Sequence, residues 1–179
     1  MFDGLFSCFR GVSLTRNHKI LDEDILSNKS SCVFCDVSVE KGFRVIWQND
    51  TLIAFYDRNA ASQFHILVIP KRHVASIKSL RKGDIPLGRS WSYDTRYLVR
   101  KVLMQHLIRP MGFHIPPFNS VQHLHLHVQS TPYNSSFRQL KYRMSLGRSP
   151  HIKGCSCFVE VDQAVQLLDA DNRVGVFPC

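Results

Sequence analysis

Apolar residues recur at a period of two in several short runs and at helical spacing in two longer ones. Val45-Ile-Trp47 and Thr51-Leu-Ile-Ala-Phe55 are rich in β-branched and aromatic residues. Gln48-Asn-Asp50 between them signals a turn, so the pair reads as a hairpin. Phe64-His-Ile-Leu-Val-Ile69 reads as a third strand stopped by Pro70, which has no N–H to give a sheet ladder. Val121 to Val128 reads as a fourth strand and Phe158-Val-Glu-Val161 as a short fifth. Tyr97, Leu98, Val102 and the apolar residues of 103–107 predict a helix over most of 94–108, between Asp94 and Pro110. A second helix carries Ala164, Val165, Leu167 and Leu168, with Asp162 as its cap. Gly, Pro and Ser mark 83–89 and 145–154 as loops. The fold class is α+β: an antiparallel sheet of about five strands with one long and one C-terminal helix.

The 179 residues, 44% hydrophobic, suit a single domain placed at 31–168, with an N-terminal extension 1–30 and a C-terminal tail 169–179. Phe2, Leu5, Phe6 and Phe9 would line one face of a helix in the extension, but two glycines in so short a stretch favour a flexible tail. No apolar run approaches the ~18 residues of a membrane span, and the first residues lack the features of a secretory signal. An integral membrane protein and a secreted disulfide scaffold are thereby set aside, and the cytoplasm is the expected compartment, with the nucleus as a second. Lys and Arg outnumber Asp and Glu by 23 to 14, for a net charge of +9, which favours an anionic partner. The charge is spread, with no block of like residues, so it selects no particular polyanion. Cys32-x-x-Cys35 and Cys155-Ser-Cys157 are close pairs of the kind that point to metal or redox chemistry.

The most informative run is Val121-Gln-His-Leu-His-Leu-His-Val128. On a strand, His123, His125 and His127 share one face while Leu124, Leu126 and Val128 seal the other to the core. Each imidazole has a donor and an acceptor to satisfy, so three in a row are a costly way to cover a sheet. Two chemistries use such a face: metal ligation by all three, or attack on phosphorus by one ring assisted by its neighbours. The spacing alone does not choose between them.

His123-Leu-His-Leu-His-Val128 resembles the alternating signature of the histidine-triad nucleotide-binding hydrolases. Cys32-Val-Phe-Cys35, Leu52-Ile-Ala-Phe-Tyr-Asp57, Phe64-His-Ile-Leu-Val-Ile-Pro-Lys-Arg-His73 and Gly112-Phe-His-Ile-Pro-Pro-Phe118 extend the resemblance, which is to the third branch of the Hint group. It implies the histidine-triad fold and a nucleoside phosphoramidase that splits AMP–amine bonds through a covalent nucleotidyl-histidine. By that resemblance His125 is the nucleophile, His127 contacts phosphate and leaving group, and Ser120 assists protonation of the amine. His65 completes the pocket, Asp57 holds the ribose, and Phe55 and Phe34 pack the base. It further implies a structural zinc held by Cys32, Cys35, His73 and His123, no catalytic metal, a purine nucleotide phosphoramidate or AMP as ligand, and a homodimer.

The chain departs from the pattern at Gln129, where a small or apolar residue is usual, and at Arg58, where Ile commonly follows the ribose-binding Asp. The 107–111 stretch is short for the strand the family places there. Two other functions are weighed against the phosphoramidase. An aprataxin-like DNA 5'-adenylate hydrolase gains from the interleaved aromatics and cations of Phe137-Arg-Gln-Leu-Lys-Tyr-Arg-Met144, though nucleic acid is the less favoured partner. A non-catalytic nucleotide-binding scaffold gains from the changes at Arg58 and Gln129.

Overall fold

The computed structural model describes residues 32–87, 91, 93, 94, 97 and 108–179, which belong to the second of two compact units, Cys32–Cys179. The N-terminal extension 1–30 lies outside the described residues. Strands β1 (Val45–Gln48), β2 (Leu52–Tyr56), β3 (His65–Pro70), β4 (Ile108–His114), β5 (Leu126–Ser130) and β6 (Phe158–Glu160) form one sheet in the order β1-β2-β3-β5-β4-β6, and every pairing is antiparallel. Helices α1 (Ser136–Lys141) and α2 (Val161–Asp169) flank β6 in sequence.

The sheet has six strands rather than about five, and the added one is β4. Pro110 lies inside it and hides it from a pattern reading; the register shift between Ile108 and Met111 accommodates the residue that cannot join the ladder. Of the helix predicted over 94–108, Asp94 and Tyr97 are helical, as are 85–87, 91 and 93; residues 98–107 lie outside the described set and Ile108 is already strand. The strand predicted from Val121 starts only at Leu126. The chain before it is tied elsewhere, with the Leu124 N–H donating to the Val74 carbonyl at 2.7 Å. The α2 cap is Glu160, not Asp162: one Glu160 carboxylate oxygen accepts from the Asp162 and Gln163 N–H groups at 2.8 and 3.1 Å. Val161 already belongs to the helix, so those two amides are orphan donors and Asp162 lies in the first turn, where its charge suits the helix dipole.

The period of two holds where it positions chemistry. Leu52, Ala54, Ile66, Val68, Leu124, Leu126 and Val128 point into one buried core with Phe113, Trp91 and the α2 residues Ala164, Leu167 and Leu168. Ile53, Phe55, Leu67 and Ile69 form a second, smaller cluster with Phe34. On β2 and β3 these residues alternate with the first set, so they mark the opposite face of the sheet. His65, in step with Leu67, and His127 share that second face.

The segment set apart as a tail packs onto the domain: Val174 is buried, and the Cys179 backbone pairs with Lys153 in both directions. Lys153 is fully buried, and its ammonium donates to the carbonyls of Gly154, Ser156 and Val176 at 2.8, 3.1 and 3.2 Å. A buried cation is tolerated here because all three of its donor directions are used.

Candidate active site and metal centre

Cys32 and Cys35 lie on a turn closed by the Cys35 N–H to the Cys32 carbonyl at 3.0 Å. The turn brings both thiols toward two rings from other parts of the chain. Cys32 Sγ lies 3.4 Å and Cys35 Sγ 3.6 Å from His123 Nδ1, and Cys35 Sγ lies 3.2 Å from His73 Nδ1. His123 Nε2 donates to the Pro70 carbonyl at 2.9 Å, which leaves the lone pair on Nδ1, facing the thiols. Tetrahedral zinc with ordinary bond lengths separates a nitrogen from a sulfur ligand by about 3.6 Å. The donor set, the tautomer and the spacing therefore fit a closed Cys2His2 metal site, and all four residues expected to ligate come together.

The same turn carries Phe34, whose ring meets Phe55, His125 and His123 edge-on at 5.4, 5.6 and 6.1 Å between centroids. Phe34 and Phe55 line a cavity of about 460 Å³ together with Phe43, Leu67, Val121, Asp57 and two arginines, Arg44 and Arg58. The apolar walls suit a planar base and the arginines an anion. Arg44 lies over the Tyr56 ring at 4.4 Å, which holds its guanidinium at the rim.

His125, His127 and His65 are all buried but differ in their bonds. His125 Nδ1 donates to the His123 carbonyl at 2.6 Å, so its lone pair is on Nε2. His65 Nδ1 accepts the Ala61 N–H at 3.0 Å, so the proton of neutral His65 is on Nε2, 2.9 Å from His127 Nδ1. His127 Nδ1 then accepts, and the His127 proton is on Nε2, a buried atom with no partner among the described residues. Burial lowers the pKa of all three rings, to about 4 for His65, so they are neutral at pH 7. The outcome is one lone pair at His125 Nε2 beside one unspent donor at His127 Nε2.

Asp57 Oδ2 lies 3.3 Å from His65 Nε2 and 3.9 Å from His127 Nδ1, while Oδ1 accepts the Asn59 N–H at 2.7 Å. Asp57, His65 and His127 are close enough to suggest a second metal site. The Ala61 N–H argues against it, because a metal on His65 Nε2 would require the imidazolate. Ser120 is exposed on the connection between β4 and β5, and among the described residues it bonds none of the triad rings.

Three neighbours of the triad carried no role in the sequence reading. His114 meets His127 edge-on at 4.9 Å, and burial lowers its pKa to about 4. Tyr142 packs against His65, His127 and His114 at 5.7, 5.3 and 5.0 Å. Gln129 is fully buried with its amide 3.2 Å from His65 Nε2. The signal for Gln129 was present: 123, 125, 127 and 129 continue one alternation.

A buried ring with a directed lone pair, a second ring with a directed proton and an adjoining cavity with apolar walls stand together at this site. Residues 31–143 match the family described as scavenger mRNA decapping enzyme C-term binding. The chain is 30% identical over 164 residues to the adenosine 5'-monophosphoramidase HINT3 of Xenopus tropicalis, covering 89% of this chain and 96% of that one. It is 40% identical over 120 residues to the bifunctional adenosine 5'-phosphosulfate phosphorylase/adenylylsulfatase HINT4 of Arabidopsis thaliana, covering 65% of this chain and 81% of that one. A HIT family hydrolase from Legionella pneumophila shares the fold at a TM-score of 0.52 and 23% identity, over 59% of this chain and 97% of that one. The chain belongs to the histidine-triad superfamily of nucleotide hydrolases, and within it to the Hint group.

Proposed function

We propose that this protein is a nucleoside phosphoramidase that transfers a nucleotidyl group from an amine to His125 and then to water. The observation that carries the reading is the lone pair fixed on His125 Nε2 by the 2.6 Å bond from Nδ1 to the His123 carbonyl. Attack by Nε2 on the α-phosphorus forms the N–P bond as the P–N bond to the amine breaks. The carbonyl already holding Nδ1–H steadies the positive charge that arises on the ring. His127 Nε2–H is free to meet a phosphate oxygen or the leaving group. The amine leaves with a proton that reaches it from solvent by way of the Ser120 hydroxyl. Water then attacks phosphorus, loses its proton to solvent and releases His125.

Phe34 and Phe55 pack the base, and Asp57 faces the ribose. Cys32, Cys35, His73 and His123 hold a structural zinc whose contribution is to fix the turn bearing Phe34 and the carbonyl bearing His125. Tyr93 and Tyr97, 73% and 50% exposed, support a homodimer through the surface that carries them. The relatives named for amine and for sulfate leaving groups agree with a site in which the nucleotidyl half is fixed and the leaving half varies. The test is steady-state hydrolysis of an AMP-phosphoramidate. His125→Ala is expected to lose at least about 10³-fold in kcat with its circular dichroism unchanged. Turnover within tenfold of wild type in that variant overturns the proposal.

A further inference from the structure

Gln129 lies directly across the β3–β5 pair from His65, on the face that carries His127. Its amide nitrogen, as placed, is 3.2 Å from His65 Nε2, and its oxygen accepts the Tyr133 hydroxyl at 3.1 Å. That arrangement sets two donors against each other. The Ala61 N–H can only donate, so His65 Nδ1 is the acceptor and Nε2 bears the proton. An amide N–H facing that Nε2–H would set two donors against each other at 3.2 Å in a fully buried place. Turning the amide by half a rotation, which moves no heavy-atom position, resolves the conflict. Its oxygen then shares the His65 Nε2–H with His127 Nδ1 in a three-centre bond, and its NH2 donates to the Tyr133 oxygen.

We propose that Gln129 is a positioning residue for the transfer reaction: its side-chain oxygen, held from behind by Tyr133, fixes the His65 ring so that His65 Nε2–H is presented to His127 Nδ1. His127 is thereby kept with its own proton on Nε2, facing substrate. The inference rests on the phosphoramidase reading and deepens it by explaining an amide where the group usually has a small or apolar residue.

The charges around His65 agree with a neutral partner at this position. Asp57 faces the ring from the end of β2, His125 from the residue before β5, His127 from β5, His114 from β4, and Arg138 and Tyr142 from α1 and the residue after it. Burial is the largest influence and lowers the His65 pKa to about 4; Asp57 opposes it, while Arg138 and His125 reinforce it. An uncharged amide completes the bonding without tipping that balance.

The test pairs Gln129→Met, close in shape and without an amide, with Tyr133→Phe, which keeps the amide but removes the oxygen that orients it. Gln129→Met is expected to lower kcat about 10- to 100-fold with KM within twofold, as for a reacting group displaced by about 1 Å. Tyr133→Phe is expected to lose about three- to tenfold. A readout independent of turnover is the His65 ring proton in a ¹⁵N-histidine-labelled protein. Wild type should show a slowly exchanging proton on Nε2 that broadens in both variants while the backbone amide spectrum is preserved. Should Gln129→Met fail to fold, Tyr133→Phe carries both measurements. A wild-type proton on His65 Nδ1, or variants with wild-type kcat and ring-proton exchange, overturns the inference. Absence of phosphoramidate hydrolysis by wild type would instead overturn the reading beneath it.

Discussion

Gly112 is the point at which packing and chemistry meet, and Gly112→Ala tests both. Gly112 pairs with His127 on one side and with Glu160 on the other. A Cβ there would overlap the Val159 carbonyl oxygen and lie 2.5 and 2.8 Å from two ring carbons of Phe158. Ordinary contact is about 3.5 Å, so Phe158 must retreat by nearly 1 Å or β6 must part from β4. Phe158 is fully buried and wedged against His114, Tyr142 and His127 at 5.2, 5.5 and 6.2 Å, so no empty side receives it. Overpacking of this kind costs about 1–3 kcal/mol, and a backbone oxygen among the clashing atoms puts the cost near the top. The stiffer unfolded chain returns about 0.4–1 kcal/mol, leaving a net loss of about 2 kcal/mol. For a domain of this size that is a fall in Tm of roughly 4–8 °C. Urea unfolding should show a lower midpoint at unchanged slope, and kcat should fall with it because the displaced Phe158 pushes on His114 and His127. A variant within 0.5 kcal/mol of wild type and fully active would refute the packing argument.

Chelation or Cys35→Ser should remove one metal per chain by elemental analysis, lower Tm, and raise KM for nucleotide more than it lowers kcat, because Phe34 shares the turn with the ligands. Full stability and unchanged KM in the metal-free protein would show that no metal organises the turn. His65 and His114 are held at about 4 in the folded protein, against an ordinary 6.5 when unfolded. The unfolded chain therefore binds more protons between those values, so stability is complete above pH 6.5 and drains as pH falls toward 4. The loss is on the order of 3 kcal/mol for His114 alone, readable by urea unfolding at a series of pH values, and His114→Phe should flatten that slope.

Much of the architecture was readable because alternation and turn chemistry agree: the β1–β2 hairpin, β3 ending at Pro70 and the α2 apolar stripe are local patterns that the tertiary structure respects. β4 was not readable from the pattern, since Pro110 interrupts its ladder and Gly112 contributes no side chain; the resemblance alone put a strand at 107–111, and the structure extends it to His114. The start of β5 was misplaced for a physical reason of consequence. His123 leaves the strand to face two thiols, and the bend it imposes delivers its carbonyl to His125. The Cys2His2 cluster formed at the four residues that the resemblance supplied. Periodicity could never have assigned tautomers, because they depend on the Ala61 N–H and the Pro70 carbonyl, backbone groups that leave no mark on the side-chain pattern. Gln129 was visible as a departure, but its meaning needed the cross-strand register that places it opposite His65.

In the proposed reaction one imidazole nitrogen becomes covalently nucleotidylated. Rapid mixing of the protein with an AMP-phosphoramidate, denaturation at neutral to alkaline pH to spare the acid-labile bond, and mass mapping of the peptides measures it directly. An AMP adduct is expected on His125, forming and decaying at rates consistent with turnover and absent from His125→Ala. Turnover with no adduct on any histidine, or an adduct confined to His123 or His127, would contradict it.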